Sequence, residues 1–178
     1  MESLVIGQAM DEDIEEIKGV IKEAFYRPGK NEDFNEWNLA DKVRTDAGFV
    51  PELCLVASIN EEIVGYILLS KASIGNSEGL ALGPIAVKPA YQRKGIGKRL
   101  VDCGLKRAQE KGFPWVALTG GDYYTQFGFE AASKYRVMLS DNHPENPYLK
   151  IRFLVTNKDT SGRMTFCDSF YDQNGELL

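Results

Sequence analysis

The sequence has little cysteine, little histidine and no long apolar run. Its three cysteines (Cys54, Cys103 and Cys167) lie far apart without the paired spacing of a zinc site, and His143 is the only histidine. A disulfide framework and a structural metal are therefore not expected. The thiols are expected to be reduced and mostly in the core of a cytoplasmic protein. Nowhere do 18 apolar residues follow one another, and Met1-Glu2-Ser3 lacks the basic start of a secretory signal, so no membrane segment is expected. An excess of positive charge is also missing. With 26 acidic against 21 basic residues and a net charge of −5, a general nucleic-acid surface is disfavoured and a cationic or neutral partner is expected. What remains is 178 residues that are 43% hydrophobic, without repeats or low-complexity tracts. A chain near that length buries roughly 70% of its unfolded surface, enough for one domain with its own core.

Strands and helices alternate along the chain. Residues 4–9 read as a short strand. Asp11 is the expected N-cap of a helix whose apolar face carries Ile14, Ile17, Val20, Ile21, Ala24 and Phe25, at three- and four-residue spacing. Residues 33–47 form a weaker helical stretch with Phe34, Trp37, Leu39 and Val43, and Gly48 is its expected stop. Residues 53–59 and 63–70 flank Asn60-Glu61-Glu62 as an antiparallel hairpin. A third run, 80–87, contains Gly83 and Pro84; proline has no N–H for a ladder and marks an edge or a bulge. Ile96, Leu100, Gly104 and Ala108 stripe a helix that stops at Lys111-Gly112. Residues 115–118, 135–139 and 149–155 read as further strands, 141–147 as a loop, and the chain after Asn157 has no clear pattern.

The most informative segment is basic and rich in glycine. Lys88, Arg93, Lys94, Lys98 and Arg99 fall within twelve residues that hold no acid, and Gln92-Arg93-Lys94-Gly95-Ile96-Gly97 sits where a strand ends and a helix begins. Two glycines allow close backbone approach, and the first-turn N–H groups of the helix face whatever occupies that end, which makes the turn a pyrophosphate cradle. A P-loop is excluded because Gln92 stands where its first glycine is needed and Arg99 follows Lys98; a dinucleotide fingerprint is excluded because Leu100 stands where its third glycine is needed.

Residues 82–97, Leu82-Gly83-Pro84-Ile85-Ala86-Val87-Lys88-Pro89-Ala90-Tyr91-Gln92-Arg93-Lys94-Gly95-Ile96-Gly97, resemble the acetyl-CoA-binding signature of the GNAT superfamily of N-acetyltransferases. Tyr124-Thr125-Gln126-Phe127-Gly128-Phe129 resembles the Y-x-x-x-G-F element of the same family, and it follows strand 115–118 in the family's order. Residues 161–170 resemble the tail of a bacterial branch with an extended C-terminal strand region. The resemblance implies an α+β fold: one domain over residues 1–178, with a core over 3–140 and a strand extension over 141–178. Its sheet would be twisted and mostly antiparallel, splayed at the fourth strand, with helices on both faces.

The same resemblance implies that Gln92, Arg93, Lys94, Gly95, Ile96, Gly97 and Lys98 hold the pyrophosphate of acetyl-CoA, a co-substrate, with no metal involved. The backbone of Ile85, Ala86 and Val87 would run beside pantetheine, Ile85 and Val87 pairing with it as if it were an added strand. Tyr124 matches the proton donor to the leaving thiolate, and a phenol with a reference pKa near 10 suits a general acid. A general base is not assigned. Ala81 stands where some members carry a glutamate, while Glu78 and His143 read more simply as surface groups and Cys103 as a packing residue. The acidic Glu32, Asp33 and Glu36 could attract a cation, although a solvated helix face is the simpler account. The function implied is transfer of acetyl to a primary amine on a small molecule or peptide, by direct attack. A catalytically silent acyl-CoA-binding or sensor module is the alternative. No nucleic acid or membrane partner is implied, and pairing of the strands after Leu139 between subunits leaves a homodimer open.

Overall fold

The longest apolar runs pair into the middle of one sheet in the computed structural model, which describes residues 3–26, 28, 36–139, 146–156 and 159–177. Strands β2 (Phe49–Ile59) and β3 (Glu62–Ile74) form an antiparallel hairpin, and β4 (Ser77–Val87) returns along β3. Asn60 (φ +51°) and Glu61 (φ +68°) make the turn, the pair of left-handed residues whose twist matches that of the strands they join. All three strands outrun their apolar pattern, because polar residues at their ends still pair through the backbone: Phe49 lies opposite Ser70 and Ser77 opposite Ile74. The edge strand β1 (Leu4–Gln8) adds antiparallel to β2.

On the other side, β5 (Trp115–Thr119) joins β4 in parallel, β8 (Leu149–Phe153) pairs antiparallel with β5, and the short β6 (Glu130–Ala131) follows on β8. The order is β1-β2-β3-β4-β5-β8-β6. The segment without a clear pattern forms β9 (Gly162–Phe166), which pairs with β3 where β2 has left it, Phe166 opposite Ala72. Residues 135–139 are not the strand expected of them. A 3-10 turn, Ala132–Tyr135, takes the first position, Arg136 is left-handed (φ +58°), and only Val137–Met138, β7, pairs, with β9.

Two layers of helix cover the sheet. The apolar stripe of α1 (Ile14–Ala24) lays Ile17, Val20 and Ile21 on one face, together with Trp37, Ala40 and Val43 of α2 (Glu36–Val43), over Cys54, Val56, Tyr66 and Leu68. The stripe of α3 (Ile96–Glu110) packs Leu100, Val101 and Leu105 on the opposite face, over Leu55, Ile67 and Leu69. The chain is thus an α+β fold with helices on both faces. No helix among the described residues is long and apolar enough to cross a membrane. Asp11 is not the N-cap: it opens a 3-10 turn, Asp11–Asp13, and it is the Asp13 carboxylate that accepts the Met10 N–H, at 2.8 Å. With three acids in succession, the one that reaches back to an unpaired N–H is decided by how the chain enters the helix. The second helix ends at Val43, before its sequence pattern does, and Gly48 lies beyond that end, donating its N–H to Asp46 at 2.8 Å.

The sheet opens at β4. Ile67 faces Ile85 and Leu69 faces Leu82, so β4 inserts Gly83 and Pro84 where β3 supplies only Leu68. This is the bulge that the proline marks in the sequence. Parallel pairing with β5 is confined to Leu80↔Val116 and Ala81↔Ala117, before the bulge. Beyond it the two strands diverge.

Candidate functional site

The end of β4 carries backbone groups that the sheet does not use. Lys88 donates its N–H to Val64 on β3 at 2.9 Å. Orientation alternates along an antiparallel ladder, so Ala86 also faces β3, while Ile85 and Val87 turn their N–H and C=O toward the side that β5 has left. Ala86 is buried under α1, and Ile85 and Val87 are half-buried. Apart from the Val87 carbonyl, which accepts from the Gln92 side chain, a two-residue strand edge therefore stands open inside the sheet, the geometry by which an extended chain can be added as a further strand.

The chain leaves this edge through a 3-10 turn, Pro89–Tyr91, into the glycine turn, where Gln92, Arg93, Lys94 and Gly95 are all exposed. The Gln92 side-chain amide donates back to the Val87 carbonyl at 2.9 Å and ties the turn to the strand. Gly95 precedes α3 at φ +82°, a conformation in which a side chain is strained. Ile96 is buried and anchors the helix start, and Arg99 closes the first turn on the Gly95 carbonyl at 3.1 Å. First-turn N–H groups have no acceptor within their own helix, so this exposed end is suited to an anion. The cations around it are not equivalent. Lys88 is paired with Glu62 at 3.0 Å, and that hydrogen bond raises its pKa. Lys94 lies 5.5 Å from the centre of the Tyr91 ring.

The aromatic segment folds as a 3-10 helix, Asp122–Phe127, directly after β5, with Phe127 and Phe129 buried and Gly128 closing it in the left-handed region. Arg152 of β8 donates to the Phe127 carbonyl at 2.9 Å and holds this closure. The Tyr124 ring meets Tyr123 edge-on at 5.1 Å and Phe129 at 6.1 Å. Gly120 gives the ring its room, since a Cβ there would come within 2.6 Å of Tyr124. Burial, and then the neighbouring Tyr123, push the Tyr124 phenol above its ordinary pKa, so it is protonated throughout the neutral range. A Cβ added to Gly97 would lie 3.6 Å from the Tyr123 hydroxyl. The two motifs that are separate in sequence thus meet across the opening.

Other residues singled out in the sequence lie elsewhere. Ala81 is buried in the paired part of β4, and Glu78 is an exposed group 3.5 Å from Lys71. Cys103 packs along α3 against the core. Glu36 opens α2, whereas Glu32, Asp33, Phe34 and His143 lie outside the described residues. The sequence reading missed Tyr123, Glu62, Arg152 and the role of the Gln92 side chain. For Tyr123 a signal existed, the doubled tyrosine. Glu62 and Arg152 act across 26 and 25 residues, separations that no local pattern encodes, whereas the Gln92 amide reaches back only five residues to Val87.

A family model described as the acetyltransferase (GNAT) family matches residues 12–129. The chain belongs to the GNAT family. This GNAT chain is 32% identical over 100 residues to the uncharacterized N-acetyltransferase YjhQ of Escherichia coli strain K12, a match that covers 53% of the chain and only 55% of that relative's length. A GNAT family acetyltransferase from Brucella melitensis, solved in complex with acetyl-CoA, superposes with a TM-score of 0.78 at 26% identity, over 96% of this chain and 99% of that one. The E. coli GNAT family N-acetyltransferase YhbS, solved in complex with CoA, gives a TM-score of 0.83 over 96% of this chain and 93% of that one; at 21% identity it speaks for the fold alone.

Proposed function

We propose that the protein is an N-acetyltransferase that moves acetyl from acetyl-CoA to a primary amine. The observation that carries this reading is the open edge at Ile85 and Val87 leading directly into the exposed turn of Gln92 to Lys98. Pantetheine would lie along that edge as an added strand, its pyrophosphate at the start of α3, where Arg93, Lys94, Lys98 and Arg99 supply positive charge. The turn is exposed, and the complex of the Brucella melitensis relative with acetyl-CoA supports the fit.

In the reaction, the nitrogen of a neutral amine attacks the thioester carbonyl and forms the C–N bond. The N–H of Ile85, facing the opening, stabilises the oxyanion. The C–S bond then breaks, Tyr124 gives its phenolic proton to the departing thiolate, and solvent takes the proton of the new ammonium and restores the phenol. The protein's negative balance favours an acceptor that is a cation at rest, attracted over about 8–10 Å at physiological salt. The test is calorimetric titration with acetyl-CoA, followed by thiol release with a panel of primary amines at rising pH and salt. Acetyl-CoA binding, with a specificity constant that grows as the free amine fraction grows and declines with salt, is the expected outcome. Tight acetyl-CoA binding without turnover on any amine would favour the silent acyl-CoA-binding module.

A further inference from the structure

Glu62 stands 26 residues before Lys88 in the sequence, yet its carboxylate holds both ends of the short connection between β4 and the glycine turn. One oxygen accepts from the Lys88 ammonium at 3.0 Å and the other from the Tyr91 hydroxyl at 3.2 Å. Lys88 immediately precedes the 3-10 turn Pro89–Tyr91, and Tyr91 ends it. The hairpin fixes where this carboxylate stands. Asn60 and Glu61 make its left-handed turn, Glu62 lies opposite Ile59, and the next N–H, of Ile63, donates to the Glu16 carboxylate of α1 at 3.0 Å.

The connection needs such a hold. Gln92, Arg93, Lys94 and Gly95 are exposed, so the core does not shape them. Arg93 stands at φ +63°, a left-handed conformation in which a residue with a side chain is strained, so the turn does not keep this backbone by local preference alone. The Tyr91 ring also lies under Lys94, 5.5 Å from its ammonium, so fixing Tyr91 bears on the cations of the turn. Charge works the other way. The hydrogen bond to Glu62, and then the charges of Glu62, Glu23 and Glu16, raise the pKa of Lys88, which leaves three acids around one base beside a turn suited to an anion. By charge alone, a carboxylate there opposes the binding of a polyanion. It can favour that binding only through the geometry it imposes.

We propose that Glu62 is a positioning residue for the co-substrate: by holding Lys88 and Tyr91 at once it presets the glycine turn in the shape that receives a pyrophosphate, against the repulsion of its own charge. The inference rests on the acetyl-CoA reading given above. A turn already in its bound shape loses less freedom when the ligand arrives, so the contribution of Glu62 lies in affinity. None of its hydrogen bonds reaches Tyr124, and the chemical step is outside its influence.

The experiment is calorimetric titration of the full chain with acetyl-CoA at one fixed ionic strength, comparing the parent with Glu62→Ala and Tyr91→Phe. The alanine variant loses both hydrogen bonds and the charge; the phenylalanine variant loses one anchor and keeps the charge. Acetyl-CoA is expected to bind about three- to tenfold more weakly to the first and about two- to fivefold more weakly to the second. Glu62 is exposed, so both thermal midpoints should stay near that of the parent. In thiol release, KM for acetyl-CoA should rise by similar factors while kcat at saturating acetyl-CoA holds. Electrostatics alone gives the opposite sign, tighter binding in Glu62→Ala and no change in Tyr91→Phe. An alanine variant that binds as tightly as the parent or more so, a phenylalanine variant equal to the parent, or a fall in kcat with affinity unchanged would each overturn the assignment and leave the acetyl-CoA reading in place. A parent that does not bind acetyl-CoA would overturn both.

Discussion

The side-chain amide of Gln92 donates to the backbone carbonyl of Val87 at 2.9 Å, so the first residue of the glycine turn is tied to the last residue of the open strand edge. Both partners lie at the surface of the opening, and the bond orients the turn without contributing to the core. Gln92→Ala should therefore leave the thermal midpoint close to the parent value while weakening acetyl-CoA by about three- to tenfold, the worth of one hydrogen bond. Calorimetry on both proteins measures it, and an unchanged dissociation constant would show that the turn holds its shape unaided.

Gly97 is the position at which the turn meets Tyr123. A Cβ there would sit at ordinary contact distance, 3.6 Å from the Tyr123 hydroxyl and 3.9 Å from Val87 Cγ2. Gly97→Ala should fold and bind with little change. Gly97→Glu adds a negative charge where the pyrophosphate is proposed to lie and should abolish acetyl-CoA binding while the circular dichroism spectrum stays near that of the parent. If the glutamate variant binds as tightly as the parent, the pyrophosphate lies elsewhere.

Tyr124→Phe keeps the ring packed against Phe129 and removes only the hydroxyl. Turnover should fall by roughly tenfold to a thousandfold with acetyl-CoA affinity retained. Because burial raises the pKa of the phenol above its ordinary 10.0, the parent's turnover should show no loss from Tyr124 ionisation below that pH. An equal turnover number in the variant would assign thiolate protonation to solvent.

Alkaline stability reports on the tail. Burial, and then the Asp46 charge, push the Cys167 thiol from 9.0 up to about 11. The fold thus prefers the neutral thiol. Its contribution is complete below pH 9, where the unfolded thiol is also protonated, and is lost as pH rises from 9 through about 11. Cys54 shifts upward through burial and adds in the same direction. Melting temperature should fall over this window in the parent and fall less steeply in Cys167→Ser. Parallel curves would place the alkaline loss elsewhere, with Cys54 or the deeply buried Tyr66 as the remaining candidates.

Element identity was legible from local pattern, because side-chain periodicity reports which face of a helix or strand is buried. The stripe of Ile17, Val20 and Ile21 and that of Leu100, Val101 and Leu105 fall on the sheet as their spacing requires. The glycine turn was legible too, since its requirement for left-handed backbone at Gly95 is met within the segment itself. Element ends were less so. Asp13 rather than Asp11 reaches back to Met10, and Tyr135 belongs to a turn rather than a strand, because these choices are made by the path of the chain around them.

By itself, then, the sequence determined the order of the elements through β5, the family motifs and the proline that interrupts β4, all of which are properties of residues a few positions apart. Only the tertiary structure decided that Ile85 and Val87 keep an open backbone edge, that the Tyr123 hydroxyl stands over Gly97, and that β9 completes β3 where β2 leaves it. The reason is that strand register and helix docking are set by how distant side chains fill shared volume. A hydrogen-bonding group is left without a partner only after every other pairing has been made.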